Sequence, residues 1–170
     1  MRHSFLRAAA TALLLTVGAA AFAGIDTYGA RAALATSSTS PTVIQMLTWA
    51  MEDEYLARAE YAAVMERYGE TRPFSNIVRA EEQHVQWLLE LFDDYGHVVP
   101  EDSAPSLVQA PGSMKEALEH GVQAEIDNIA MYELFLEQAL PDDVRDTFER
   151  LMRASENHLR AFRTNLARYN

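Results

Sequence analysis

The chain has 170 residues, with 14 Lys and Arg against 25 Asp and Glu, a formal charge of -11 and no cysteine. That length suits one domain. The acidic balance argues against binding DNA or RNA through phosphates and against a polybasic membrane-surface role, and the lack of cysteine excludes disulfides, thiolate-held zinc, iron–sulfur clusters, thiol nucleophiles and a lipoprotein anchor.

Residues 1–7 carry two arginines, residues 8–22 are apolar or small, and Ala21-Phe22-Ala23 fits a small-x-small cleavage site. The apolar run is short for a membrane span. Residues 1–23 therefore read as a secretory signal peptide, with an uncleaved anchor as the alternative. The protein is expected to be secreted or periplasmic, with no membrane attachment after signal removal. Ala33-Leu34-Ala35 is a second match to a cleavage site. Residues 24–40 lack a sustained apolar period and end in Ser and Thr, so they read as a flexible leader. Residues 41–170 remain as one helical domain.

Ser40-Pro41 predicts a helix start, with a capping residue before a proline at the first helical position. That helix runs to about Tyr68 and carries the stripe Val43, Leu47, Ala50, Glu54, Ala57, Tyr61, Val64, Tyr68, in alternating steps of four and three. The second starts near Pro73 and ends before Gly96, with Phe74, Ile77, Glu81, His84, Leu88, Leu91 and Tyr95 in line. Residues 96–112 hold three of the six prolines and form a linker. Ser113 to Glu116 reads as a capping box for the third helix, whose stripe is Leu118, Val122, Glu125, Ile129, Tyr132, Leu136, Ala139. Pro141-Asp142-Asp143 opens the fourth, with the stripe Val144, Phe148, Leu151, Ser155, His158, Phe162, then Leu166 or Asn165, and Tyr169. The fold class is all-α, a four-helix bundle. The linker reaches about 55 Å when extended, enough to cross the bundle's full length. It is therefore a long crossover that leaves the second and third of these helices parallel.

Every stripe is apolar at its ends and polar at its centre. Glu54, Glu81, His84, Glu125, Ser155 and His158 sit near helix midpoints, so they should converge on one layer of the core. Taken singly, each has a plain reading: a hydrogen-bonded core histidine, or a glutamate at a solvated edge. Taken together, three carboxylates must protonate, pair or bind metal, and no Lys or Arg lies on any stripe to pair with them. A metal is the better reading. Glu81 and His84, three residues apart, present a carboxylate and an imidazole to one point. Oxygen and nitrogen ligands without sulfur suit iron or manganese, and zinc less decisively.

The two halves echo each other. Glu54 precedes Tyr61 by seven residues and His84 by 30, while Glu125 precedes Tyr132 by seven and His158 by 33. A duplicated helix hairpin would build a pseudo-twofold site. Tyr61 and Tyr132 then either pack with their hydroxyls toward solvent or hydrogen-bond the carboxylates and orient them.

Glu-Tyr-Leu-Ala-Arg-Ala-Glu-Tyr at 54–61, Ala-Glu-Glu-Gln-His at 80–84 and Ala-Ser-Glu-Asn-His-Leu at 154–159 resemble the ferritin-like superfamily. The nearest branch is rubrerythrin-like, in particular exported prokaryotic ferritin-like domains of unassigned function. The resemblance covers residues 41–169. It implies a ferritin-like four-helix bundle holding two irons, with one Glu from each of two helices and a Glu-x-x-His from each of the others. Carried over, Glu54 and Glu125 are terminal ligands, Glu81 bridges, and His84 and His158 complete the metals. Ser155 departs from the pattern, which wants a second bridging Glu. Glu156 is next to it but turned about 100° around the helix. A π-bulge could bring it in. Five ligands and a charge of -3 against +4 imply one ion held tightly and a second held loosely or completed by water. The chain also lacks the cysteine-ligated iron of full-length rubrerythrins, so peroxidase turnover would need an external reductant.

The leading expectation is an exported metal-binding protein with one or two ions of iron or manganese, acting on iron, oxygen or peroxide as an oxidoreductase. The rival is a metal-free helical interaction module that kept the fold and lost the chemistry. A third reading, ferritin-type storage, needs a closed shell. His97 and His120 fall off the stripes and read as surface residues. Asp53, Glu60 and Glu82 read as solvated acids.

Overall fold

The structure is a computed structural model that describes residues 25–36 and 40–169. The signal-peptide segment and residues 37–39 of the leader lie outside the described residues. Among those described the chain is all-α, with five α-helices: α1 (Gly29–Ala35), α2 (Val43–Tyr68), α3 (Phe74–Asp94), α4 (Met114–Leu136) and α5 (Asp142–Leu166). Short 3-10 turns lie at Ile25–Thr27, Ala104–Ser106 and Ala167–Tyr169. No described helix is long and apolar enough to cross a membrane.

α2 begins two residues later than its proline suggests. Thr42 is the N-cap: its hydroxyl accepts from the Gln45 amide at 3.4 Å, and the Gln45 side chain accepts the Thr42 N–H at 2.9 Å. This reciprocal pair satisfies two end donors, which a start at Pro41 could not do. Ser113 caps α4 by accepting from the Glu116 amide at 3.2 Å. α3 and α5 each start directly after a proline, Pro73 and Pro141.

The four long helices pack as α2 on α3 and α4 on α5, with further contacts of α2 on α4 and α3 on α5. Apolar residues form two clusters. One joins Tyr61 and Val64 of α2, Phe74 and Ile77 of α3, Ala117 and Leu118 of α4 and Phe162 of α5. The other joins Leu47, Leu88, Phe92, Met131, Phe135, Val144 and Leu151. The first cluster takes the N-terminal ends of both α3 and α4, and the second takes their C-terminal ends. α3 and α4 therefore run parallel, and residues 96–112 cross the length between them. The crossover is pinned to α2 by Arg58–Asp102 at 2.6 Å and by the Tyr68 hydroxyl donating to Pro111 O at 2.7 Å. Ala104 of the crossover is itself buried.

The leader expectation is corrected over the residues described. Gly29–Ala35 is a helix packed on α2 and α4, with Gly29, Ala30 and Ala33 buried. Seven residues are too few to show a period, and small side chains carry no strong hydropathy signal. They do allow backbone to approach backbone. Gly29 has φ +56°, and a Cβ there would lie 2.9 Å from Asp53 Cα. α2 also buries Met46, Met51 and Tyr55, which lie off its expected stripe and share one apolar cluster with Ala30 and Ala33 of α1.

Candidate metal centre

Between the two apolar clusters lies one polar layer. Glu54, Glu81, His84, Glu125, Ser155 and His158 are each buried, at 2–8% exposure. The alternating steps of three and four bring these midpoints inward from α2, α3, α4 and α5. All five expected ligand residues and Ser155 come together in this layer.

Nδ1 of His84 lies 3.1 Å from Glu54 Oε2 and 2.7 Å from Glu81 Oε2. Nδ1 of His158 lies 3.2 Å from Glu81 Oε1 and 3.5 Å from Glu125 Oε1. Glu81 thus offers one oxygen to each imidazole. The two rings stack with centroids 5.6 Å apart. Two triads, Glu54–Glu81–His84 and Glu81–Glu125–His158, each bring three ligand atoms within 4.8 Å of one another and could hold a metal ion. His158 Nδ1 has no aligned hydrogen-bond partner although it is buried. A buried nitrogen facing two carboxylate oxygens, in a layer with no Lys or Arg, is compatible with a bound cation.

Both tyrosines point inward, not toward solvent. The Tyr132 hydroxyl donates to Glu54 Oε1 at 2.9 Å, and the Tyr61 hydroxyl donates to Glu125 Oε1 at 2.8 Å. On Glu54 the phenol holds Oε1 and the imidazole of His84 faces Oε2, whereas on Glu125 the phenol and the imidazole of His158 both face Oε1.

Without an ion the layer stores protons. Burial pushes Glu54 up to about 8 and Glu125 up to about 7, against the pull of the imidazoles. Burial would also raise Glu81, but the close approach and charges of His158 and His84 bring it down to about 2. Burial would lower the imidazoles; the neighbouring carboxylates outweigh it and raise His84 and His158 to about 10. Burial places both phenols, Tyr61 and Tyr132, well above their usual value, so they stay protonated and donate.

Ser155 is satisfied without a metal. Its hydroxyl donates to Asn128 Oδ1 at 2.5 Å and approaches Leu151 O at 3.2 Å. Asn128 Nδ2 donates to Asp53 Oδ2 at 2.6 Å, and Asp53 Oδ1 accepts the Ala30 amide at 2.8 Å. Beside it, Glu52 accepts the Gly29 amide at 3.1 Å. A polar chain thus runs from the layer to the first amides of α1.

Glu156 is exposed, outside the layer. α5 is a regular α-helix through this point, so the 100° offset from Ser155 stands and Glu156 does not support the site. Glu82, His97 and His120 are exposed, as their positions implied. Asp53 and Glu60 are not freely solvated: both are partly buried, and burial raises them to about 6 and about 7. Asn128 escaped the sequence reading because it lies off the expected α4 stripe. Its one signal is its place three residues after Glu125, the spacing that links Glu81 to His84.

No protein-family model matches the chain, and no curated protein matches it. Among solved structures it is similar to a hypothetical protein, MJ0754, from Methanococcus jannaschii. The TM-score is 0.68 with 26% identity, over 77% of this chain and 85% of that one.

Proposed function

We propose that this chain is an exported ferritin-like protein of the rubrerythrin-like branch. In this reading α2–α5 are a four-helix bundle, and the Glu/His layer holds one or two ions of iron or manganese for oxidoreductase chemistry on iron, oxygen or peroxide. The observation that carries it is Glu81: one buried carboxylate with an oxygen toward each of two imidazoles, flanked by one further carboxylate on each side.

Glu54, Glu81 and His84 would hold one ion, and Glu81, Glu125 and His158 the other. Such an ion supplies Lewis acidity and, for iron or manganese, electrons. Tyr132 and Tyr61 would orient the terminal carboxylates Glu54 and Glu125. Ser155, held by Asn128, adds no charge, so one ion is held tightly and the second loosely.

The test is elemental analysis of protein purified without chelator, beside Glu81→Ala and His84→Ala. About one tight ion per chain, lost in both variants, is expected. The rival reading, a metal-free interaction module, draws on the internal satisfaction of Ser155 by Asn128. Unchanged metal content in both variants, or none in the native protein, would favour it.

A further inference from the structure

The metal-layer residues are buried among the four long helices, so an ion needs a way in. Between α2 and α4 lies a cavity of about 230 Å³ whose lining includes Glu54, Glu81, Glu125 and Ser155. Neither His84 nor His158 lines it, and the one histidine in its lining is the exposed His120. His84 instead backs onto Trp87, with ring centroids 5.3 Å apart, and the Arg150 guanidinium lies 4.8 Å over that indole. The imidazole side thus carries a fixed positive charge, and the carboxylate side faces the cavity.

The outer wall of the cavity is acidic. Glu60 and Asp127 line it, with Arg31 of α1 as its one Lys or Arg. Glu60 lies partly buried and has no hydrogen-bond or ion-pair partner among the described residues. It also lines an adjoining cavity of about 280 Å³ beneath crossover residues 106–111, as do Tyr61 and His120. An unpartnered carboxylate therefore stands where two cavities meet, outside the Glu/His layer and on the side its carboxylates face. Ala57 and Ala124, both small, leave the passage open.

We propose that the α2–α4 cavity is the port through which divalent cations reach the Glu/His layer, with Glu60 as the transit carboxylate that receives the ion before Glu125 and Glu54 take it. The proposal rests on the metal-binding reading above. An anion would meet Glu60, Asp127 and the layer's own carboxylates against a single arginine, so charge selects cations. Glu60 belongs to neither triad, so it governs the rate of uptake and not the final content.

The probe is cobalt(II) alone, added to the metal-free full chain and followed by its visible absorption in a stopped-flow instrument, with bound metal counted at the end point. Glu60→Gln should slow uptake at micromolar cobalt by about tenfold, with the end-point stoichiometry unchanged. Ala124→Leu keeps every charge, narrows the passage and should slow uptake as well. Glu66→Gln, an exposed acid on the same helix, should load at the native rate. Native-rate uptake by either Glu60→Gln or Ala124→Leu would overturn the port while leaving the metal site standing. A lower end point in Glu60→Gln would make Glu60 a ligand and overturn its transit role. A native protein that takes up no cobalt would overturn the port together with the metal reading.

Discussion

Tyr61 of α2 donates its phenolic proton to Glu125 of α4 at 2.8 Å, and its counterpart Tyr132 of α4 donates to Glu54 of α2 at 2.9 Å. Each half of the repeat holds the other half's carboxylate. The exchange ties the two hairpins together at the layer and orients both carboxylates.

Removing one phenol should therefore loosen one triad more than the other. Tyr61→Phe frees the Glu125 oxygen and leaves Glu54 held. Metal affinity should fall about tenfold, within the range for residues that orient ligands. Competition titration against a chelator of known affinity measures it. An unchanged affinity would mean that packing alone positions Glu125.

Stability of the metal-free protein should depend on pH with a definite sign. Glu54, Glu125, His84 and His158 all have folded values raised, to about 8, 7, 10 and 10. A group with a raised folded value stabilises fully below its unfolded value, and the contribution is lost as pH rises through the folded one. Glu81, lowered to about 2, runs the other way: it stabilises above its unfolded value of 4.5 and loses this as pH falls toward 2. Calorimetry should show the metal-free Tm falling from about pH 6 to pH 10. The metal-loaded protein, its ligands already deprotonated, should show a flatter profile. A metal-free Tm that climbs over this range would contradict the proton-storing layer.

Docking of α1 should hinge on Gly29 and Asn128. Gly29→Ala places a Cβ 2.6 Å from Asp53 Oδ1 and 2.9 Å from Asp53 Cα at φ +56°. Asn128→Ala removes the donor that holds Asp53. Both should speed hydrogen exchange at the Ala30 amide and leave amides in the middle of α3 protected. Equal exchange at Ala30 in the native protein and both variants would show that α1 docks by other contacts.

At the opposite end of the layer from Met131 and Phe135, Gly121 admits the Phe162 ring, which also packs on Tyr61 and Phe74 at 5.2 Å between centroids. A Cβ at residue 121 would meet that ring at 2.6 Å. Gly121→Ala should cost about 1–3 kcal/mol through overpacking, more than its gain in helix propensity returns. Denaturant unfolding checks this, and a more stable variant would show that the ring moves freely.

Ser155→Glu should convert loose binding of the second ion to tight. The added carboxylate takes the ligand charge from -3 to -4, against +4 for two divalent ions. It also displaces the Asn128 hydrogen bond in a buried position, at a cost of about 1–3 kcal/mol in the metal-free state. Iron titration of both forms measures the change. Two tight ions in the native protein would show that solvent or another group already fills the gap.

The helical period by itself determined the fold class and the polar layer. Steps of three and four place Glu54, Glu81, Glu125 and His158 on inward faces at helix midpoints, whatever surrounds them. On α5 the buried residues Val144, Phe148, Leu151, Ser155, His158 and Phe162 are those the stripe names. Linker length likewise implied parallel α3 and α4. Period says which residues share a face; it does not say how wide an arc the neighbours cover. On α4 the covered arc takes in Gly121, Asn128 and Met131, while Val122 and Ile129 are only partly buried. That shift put Asn128 beside Ser155 and left the expected stripe without it. α1 shows the same limit, since its docking rests on backbone approach at Gly29 and Ala30, where side chains are too small to mark a face. The burial of Asp53 and Glu60 follows from what α1, α4 and the crossover cover, which only the packed chain decides.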